Sequence, residues 1–302
     1  MGQEMSIQDV TAAATAALAQ ALAAAAAAYP IPAAIASAIY AFLWRQPPNG
    51  TNIDPERAER AGRSREQLLE EARLRYGVNP RDHYNIAFVG GSGSGKSSLI
   101  NAVRRIRNND IQEPELDADG NRYGAAKTGE TETTTEVKRY DWERIPRLKL
   151  WDSVGGGTVR AGRDNFFENH QLYAFDAIVV VTAGRFTQFD LEITRDALEW
   201  RKTVVLVRTK ADVDLDNRAE NAEIDVRSVD KETYRRDVER NVLGDMENFG
   251  MAAQLRNVPI FVVSDVVMRG GSPNRPREVY GMDEDRLRQH VVNGIVQQRF
   301  LS

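Results

Sequence analysis

Cysteine is absent from the 302 residues, which excludes disulfide bonds and thiolate metal sites and is compatible with a reducing cytoplasm. Histidine is nearly absent: His83, His170 and His290 are the three in the chain, and their spacing forms no metal-ligand pattern. A strong basic block is also missing. With a formal net charge of −4, the electrostatics give no general pull toward nucleic acid. No internal repeat is visible. Apolar residues are plentiful, at 42%, enough for a substantial core in one large domain or in one domain with a helical appendage.

Residues 10–44 hold no Asp, Glu, Lys or Arg, and 18 of these 35 positions are alanine, the best helix former. This composition predicts a helix over 7–28. Tyr29-Pro30-Ile31-Pro32 ends it, because proline lacks the amide donor and restricts the residue before it. A second helix fits behind the break, with Pro32 in its first turn and Ile35, Ile39, Phe42 and Leu43 on one stripe. Residues 1–50 therefore read as an alanine-rich helical hairpin closed by the linker Gln46-Pro47-Pro48-Asn49-Gly50. Residues 51–80 read as a connecting charged helix anchored by Leu68, Leu69 and Leu74, and 81–302 as the main domain.

Two readings of the hairpin stand: a helical pair packed against the main domain, or an anchor at a membrane surface. No basic segment precedes the apolar part, which argues against a secretory signal. Alanine contributes little to insertion and two prolines interrupt the run, which argues against a spanning helix. The opening Met1-Gly2-Gln3-Glu4-Met5-Ser6 fits M-G-x-x-x-[ST], so Gly2 is a candidate for N-myristoylation, a single chain that gives only marginal membrane binding.

From Tyr84 onward, short apolar runs alternate with amphipathic stretches, the pattern of an α/β fold with a mainly parallel sheet and helices on both faces. Strands are predicted near 84–89, 134–140, 147–152, 177–182, 203–208 and 259–264, and helices near 95–106, 164–173, 190–201, 231–248 and 282–300. Directly behind the first strand stands Gly90-Gly91-Ser92-Gly93-Ser94-Gly95-Lys96-Ser97, a match to G-x4-G-K-[ST] between strand and helix. Backbone N–H groups of Gly91, Ser92, Gly93, Ser94 and Gly95 would turn inward on a phosphate chain at the positive end of the next helix. Lys96 would reach the β- and γ-phosphates, the Ser97 hydroxyl would coordinate Mg²⁺, and Ser98 continues the same turn. The octet predicts a bound nucleoside triphosphate.

Two further motifs follow in order. Leu148-Lys149-Leu150-Trp151-Asp152-Ser153-Val154-Gly155 ends a strand in D-x-x-G, where Asp152 would support the Mg²⁺ shell and the Gly155 amide would sense the γ-phosphate. Val207-Arg208-Thr209-Lys210-Ala211-Asp212 ends another in T-K-x-D. The Asp212 carboxylate can accept from both N1–H and the N2 amino group of guanine, a pair that adenine does not offer on that edge. A site built to be hydrogen-bonded rejects a base that leaves it unpaired. Thr209 belongs to the same turn, Lys210 is expected along the base plane as a brace for the phosphate loop, and Ser264-Asp265 would complete the base pocket through backbone groups. Between the first two motifs, Gly124 to Glu136 is rich in Thr, Gly and Glu. It is a segment for γ-phosphate and Mg²⁺ to order, with Thr128 or Thr134 offering a second hydroxyl to the metal.

With these motifs in place, the sequence resembles the immunity-related GTPases, an interferon-inducible family of dynamin-like GTPases that act on membranes. The likeness rests on Gly124-Ala125-Ala126-Lys127-Thr128-Gly129 followed by Glu132, on Leu150-Trp151-Asp152, on Arg185-Phe186 with Asp190, and on Val207 to Asp212. Together with the phosphate loop these span residues 84–265 in order. The resemblance implies a P-loop GTPase domain over 81–302 that hydrolyses GTP to GDP with Mg²⁺ as cofactor. It implies a homodimer or larger homo-oligomer whose nucleotide faces meet, in the cytoplasm or peripherally on the cytosolic face of intracellular membranes, in cell-autonomous defence. Lys96 and the switch-loop Glu132 take the catalytic positions, and Arg185-Phe186 implies a base-side surface near the dimer contact. Three departures stand out. Val154 replaces the family's usual proline. Gly156, not glutamine, follows Gly155, so the water-positioning glutamine of Ras-like enzymes is absent and hydrolysis must rely on a group such as Glu132 or on the partner. The sequence also stops at Ser302, where the family continues into a C-terminal helical part, so the chain reads as a shortened member. The rival readings are a nucleotide-gated scaffold with negligible hydrolysis and an ATPase of the same sheet class.

Overall fold

The computed structural model describes residues 64–108, 122–128, 137–153 and 166–301. The hairpin expected over residues 1–50, Gly2, Glu132, Thr134 and Gly155 lie outside them.

The described chain opens with helix α1 (Arg65–Tyr76). Ser64 and Gln67 form a capping box at its start, and Gly77, with φ 66°, ends it. There follow β1 (Tyr84–Val89), α2 (Lys96–Val103), β2 (Lys138–Asp141), β3 (Leu148–Asp152), β4 (Ala177–Thr182), α3 (Gln188–Glu199), β5 (Thr203–Arg208), α4 (Ala211–Ala222), α5 (Lys231–Asn248), β6 (Ile260–Val262) and α6 (Glu284–Leu301). Shorter helical turns are named by their residues.

Six strands form one sheet in the order β2-β3-β1-β4-β5-β6. β2 runs antiparallel to β3, and every other neighbouring pair is parallel. Parallel neighbours need long crossovers, and the helices supply them. Successive side chains of a strand point to opposite faces, so an unbroken apolar run fills two cores at once. Ile86, Phe88, Val179 and Val181 face one way, against Leu99 and Val103 of α2 and Leu287 of α6. Ala87, Val89, Ile178 and Val180 face the other, against Leu191 of α3 and Met246 of α5. Each buried aliphatic side chain contributes on the order of 1.5–3 kcal/mol. The expected mainly parallel sheet with helices on both faces is what the chain forms.

Three details differ from the sequence reading. The strand expected near 134–140 is described over Lys138–Asp141. The helix expected near 164–173 divides into Phe166–Asn169 and a 3-10 turn at Leu172–Ala174, because Gln171 takes φ 47° between them. Helix α4 was not expected at all. Its Asp and Asn residues are weak helix formers in an interior, yet Asp212 and Asp214 fall in the first turn, where carboxylates meet the positive end of the helix.

Helix α1, part of the expected connecting segment, is fastened to the sheet domain. The Tyr76 ring lies 5.5 Å from Phe175 and 6.3 Å from Trp151, and its hydroxyl donates to the His170 carbonyl at 2.9 Å. Arg65 stacks 4.4 Å above the Trp200 ring and donates to the Glu199 carbonyl at 2.8 Å.

Candidate nucleotide-binding site

The phosphate loop leaves the carboxyl end of β1 through Gly90, whose φ is 146°. A Cβ at that position would stand 2.1 Å from the Val181 carbonyl oxygen of β4, so glycine alone allows the loop to turn this close to the sheet. At the other end Gly95, with φ 92°, is the N-cap of α2. Lys96 is buried, and its ammonium folds back to donate to the carbonyls of Gly90 at 3.2 Å and Gly91 at 2.9 Å. The cation is therefore held at the loop itself, where phosphate charge would come to rest.

Strand register then brings the second motif in. Phe88 of β1 pairs with Asp152 of β3, which sets that carboxylate beside the start of α2. The Ser97 hydroxyl donates to Asp152 Oδ2 at 2.5 Å. A hydroxyl and a carboxylate converging at the end of a phosphate loop are hard oxygen donors of the kind Mg²⁺ takes. Mg²⁺ is usually bound through one or two protein groups plus substrate phosphates rather than by a dedicated protein cage. The donor set fits the ion.

The third motif is joined to the first through Thr209. Its hydroxyl lies 2.8 Å from the Ser94 carbonyl and 3.2 Å from the Thr182 carbonyl, and its amide donates to Thr182 at 2.8 Å. This bond ties the third motif to the phosphate loop. Lys210 takes the left-handed conformation, φ 61°, as N-cap of α4, and its side chain is exposed, whereas Thr209 is buried against the loop. Asp212 is buried and ion-paired with Arg275. Ser264 is fully buried, and its amide donates to Glu284 Oε1 at 2.8 Å. Of the two backbone donors expected at the base, the Ser264 amide is already committed. The Asp265 amide, at the first helical position after it, has no protein acceptor among the described residues.

Sequence reasoning missed the groups that hold the Thr-rich segment. Asn101 of α2 accepts from the Ala126 amide at 2.7 Å and donates to the Ala126 carbonyl at 2.9 Å. Arg104 donates to the Gly124 carbonyl at 2.8 Å and to the Asp141 carbonyl at 3.1 Å. Burial lowers the Arg104 pKa to about 10, so it stays charged at neutral pH. No local pattern marks either residue, because their partners come 20 or more positions later. Thr128 follows this anchored stretch, and among the described residues no hydrogen bond joins it to Ser97 or Asp152. Of the remaining matched residues, Arg185 is exposed, Phe186 is buried, and Asp190 forms a capping box with Thr187 at the start of α3.

A glycine loop between first strand and helix at the carboxyl end of a parallel sheet, with a serine and an aspartate converging beside its lysine, defines the phosphate-loop nucleotide-binding proteins. A family model described as Interferon-inducible GTPase (IIGP) matches residues 79–270, and the chain belongs to that family. It is 32% identical over 181 residues to Interferon-inducible GTPase 1 of Mus musculus, an overlap of 60% of this chain and 39% of that protein. With T-cell-specific guanine nucleotide triphosphate-binding protein 2 of Mus musculus the identity is 28% over 182 residues, covering 60% and 39%. With Interferon-inducible GTPase 5 of Rattus norvegicus it is 32% over 157 residues, covering 51% and 29%. The chain thus spans less than half the length of these relatives.

Proposed function

We propose that this chain binds guanine nucleotides at the site just described and hydrolyses GTP to GDP with Mg²⁺. The observation that carries the reading is the contact of Ser97 with Asp152 beside a lysine folded over its own glycine loop. Loop amides and Lys96 neutralise phosphate charge, and Asp212 reads the guanine edge. Ser97 and Asp152 hold the metal, with Thr128 or Thr134 as a further hydroxyl. Bound Mg²⁺ supplies charge neutralisation at the phosphate oxygens. The Gly155 amide meets the γ-phosphate, and Glu132 orients the attacking water in place of the glutamine that Gly156 replaces.

With that glutamine missing, hydrolysis depends on a second copy of the chain, brought in through the nucleotide face to form a homodimer or larger oligomer. The family's interferon-inducible description extends the proposal to cell-autonomous defence from the cytoplasm. Peripheral membrane binding would come through a myristoyl group on Gly2 together with the hairpin of residues 1–50. Among the described residues no helix is long and apolar enough to cross a membrane.

Multiple-turnover phosphate release across protein concentration tests the reading. A rate per molecule that climbs with concentration is expected, and Lys96→Ala is expected to lower it by about 100-fold or more. Light scattering with GDP, GTP and a non-hydrolysable analogue should show assembly only with the triphosphates. Gly156 also motivates the second reading, a nucleotide-gated scaffold. Nucleotide uptake with no phosphate release at any concentration would establish that reading instead.

A further inference from the structure

The carboxylate assigned to guanine is already engaged by a side chain of this protein. The Asp212 side chain is 4% exposed, and one guanidinium nitrogen of Arg275, Nη1, is ion-paired with its Oδ2. The other, Nη2, lies 2.8 Å from Oδ2 of Asp216, one turn further along α4. Asp216 is itself oriented by the Tyr280 hydroxyl, which donates to its Oδ1 at 2.6 Å.

A tight turn delivers Arg275. Gly270 and Gly271 take φ 128° and 84°, and Ser272 and Arg275 exchange two backbone hydrogen bonds of 3.0 Å across a tight turn. A Cβ on Gly271 would stand 3.1 Å from the Arg275 carbonyl oxygen and the Arg277 amide nitrogen, so the turn packs too closely for a side chain there. The family match ends at Gly270, the first residue of this loop.

We propose that Arg275 competes with guanine for Asp212 and thereby sets how tightly, and how readily, the base pocket takes its nucleotide. The inference rests on Asp212 being the guanine reader. Arg275 meets Asp212 through Nη1 alone, at Oδ2, an oxygen that the paired donors N1–H and N2 of guanine would also need. The guanidinium fills the space beside Oδ2 that a guanine donor would have to enter, so the two compete for one place. Asp216 makes the exchange feasible: when the base takes Asp212, Arg275 keeps a carboxylate it already touches, and no unpaired cation is left beside the pocket. The two aspartates, spaced i and i+4 on α4, act as alternative docks for one arginine.

The test uses the full chain and a fluorescent GDP analogue, with thermal melts to check folding. Arg275→Gln removes the competitor and is expected to tighten GDP binding by about tenfold. Asp216→Asn removes the second dock, strands Arg275 on displacement, and is expected to weaken GDP binding by about the same factor. A purely structural loop would lose affinity in both variants, so the opposite signs are the signature. Unchanged or weaker binding in Arg275→Gln, or unchanged or tighter binding in Asp216→Asn, overturns the proposal. If the first variant does not fold, the second still decides. Wild-type protein that takes up no GDP at all would instead remove the guanine assignment on which the gate depends.

Discussion

Base selectivity comes down to single residues. Replacing the buried Asp212 by asparagine exchanges one acceptor for a donor, which suits a base carrying oxygen at C2. Asp212→Asn is expected to shift preference from guanosine toward xanthosine nucleotides by about 100-fold, measured by competitive displacement. Unchanged selectivity for GTP would refute the assignment. The residues of the site that were legible in the sequence are those whose work is local. Gly90, Gly95, Lys96 and Ser97 must follow one another for loop amides and ammonium to converge, so the spacing carries the chemistry. Asp152 was legible because it closes a strand, and the register of β3 on β1 then fixes its position. Asn101, Arg104, Thr182 and Arg275 were not legible, since each acts on a partner far along the chain. Thr209, named in the sequence only as part of its turn, reaches Ser94 in the fold.

Among the elements, α1 gives the sharpest prediction, because Tyr76 joins it to the core by both its ring and its hydroxyl. Tyr76→Ala removes two ring contacts and the hydroxyl bond to His170. It is expected to lower stability by about 2–3 kcal/mol, while Tyr76→Phe, which keeps the rings, costs about 1 kcal/mol. Urea denaturation of the two variants checks the ranking, and equal losses would mean that the hydroxyl alone matters. Strands β1, β4 and β5 fell on their predicted residues because short runs buried on both faces have few other ways to satisfy their backbone. Helix α4 escaped prediction because its sequence carries turn-forming residues, and only docking gives it a reason to coil. Ala211 and Leu215 are buried in a small core with Tyr234 of α5 and Tyr280, a tertiary reward that no local window contains.

For the molecule as a whole, the three histidines link stability to mild acid. Burial is the leading cause that holds His83, His170 and His290 below their usual 6.5. Just below pH 6.5 the unfolded chain therefore binds protons that the folded chain does not, and stability falls as the pH drops through that window. Burial raises the carboxyls of Asp176 and Glu284, which act in the opposite direction at lower pH. His290, on α6, packs 5.5 Å from the Phe261 ring over the sheet. His290→Phe is expected to flatten part of the decline, read as denaturation midpoints between about pH 7.5 and 5.5. A variant curve parallel to wild type would exclude His290 from the effect. The sheet's own outline carries one more consequence. One margin is β2, where Lys138 and Arg139 sit and the Asp141 amide is taken by the Arg122 carbonyl at 2.8 Å; the other is β6, three residues long. Short, charged or occupied borders do not template another strand, so the sheet resists being extended from one molecule into the next. Among the described residues, a contact between two copies would then fall to side chains rather than to strand borders.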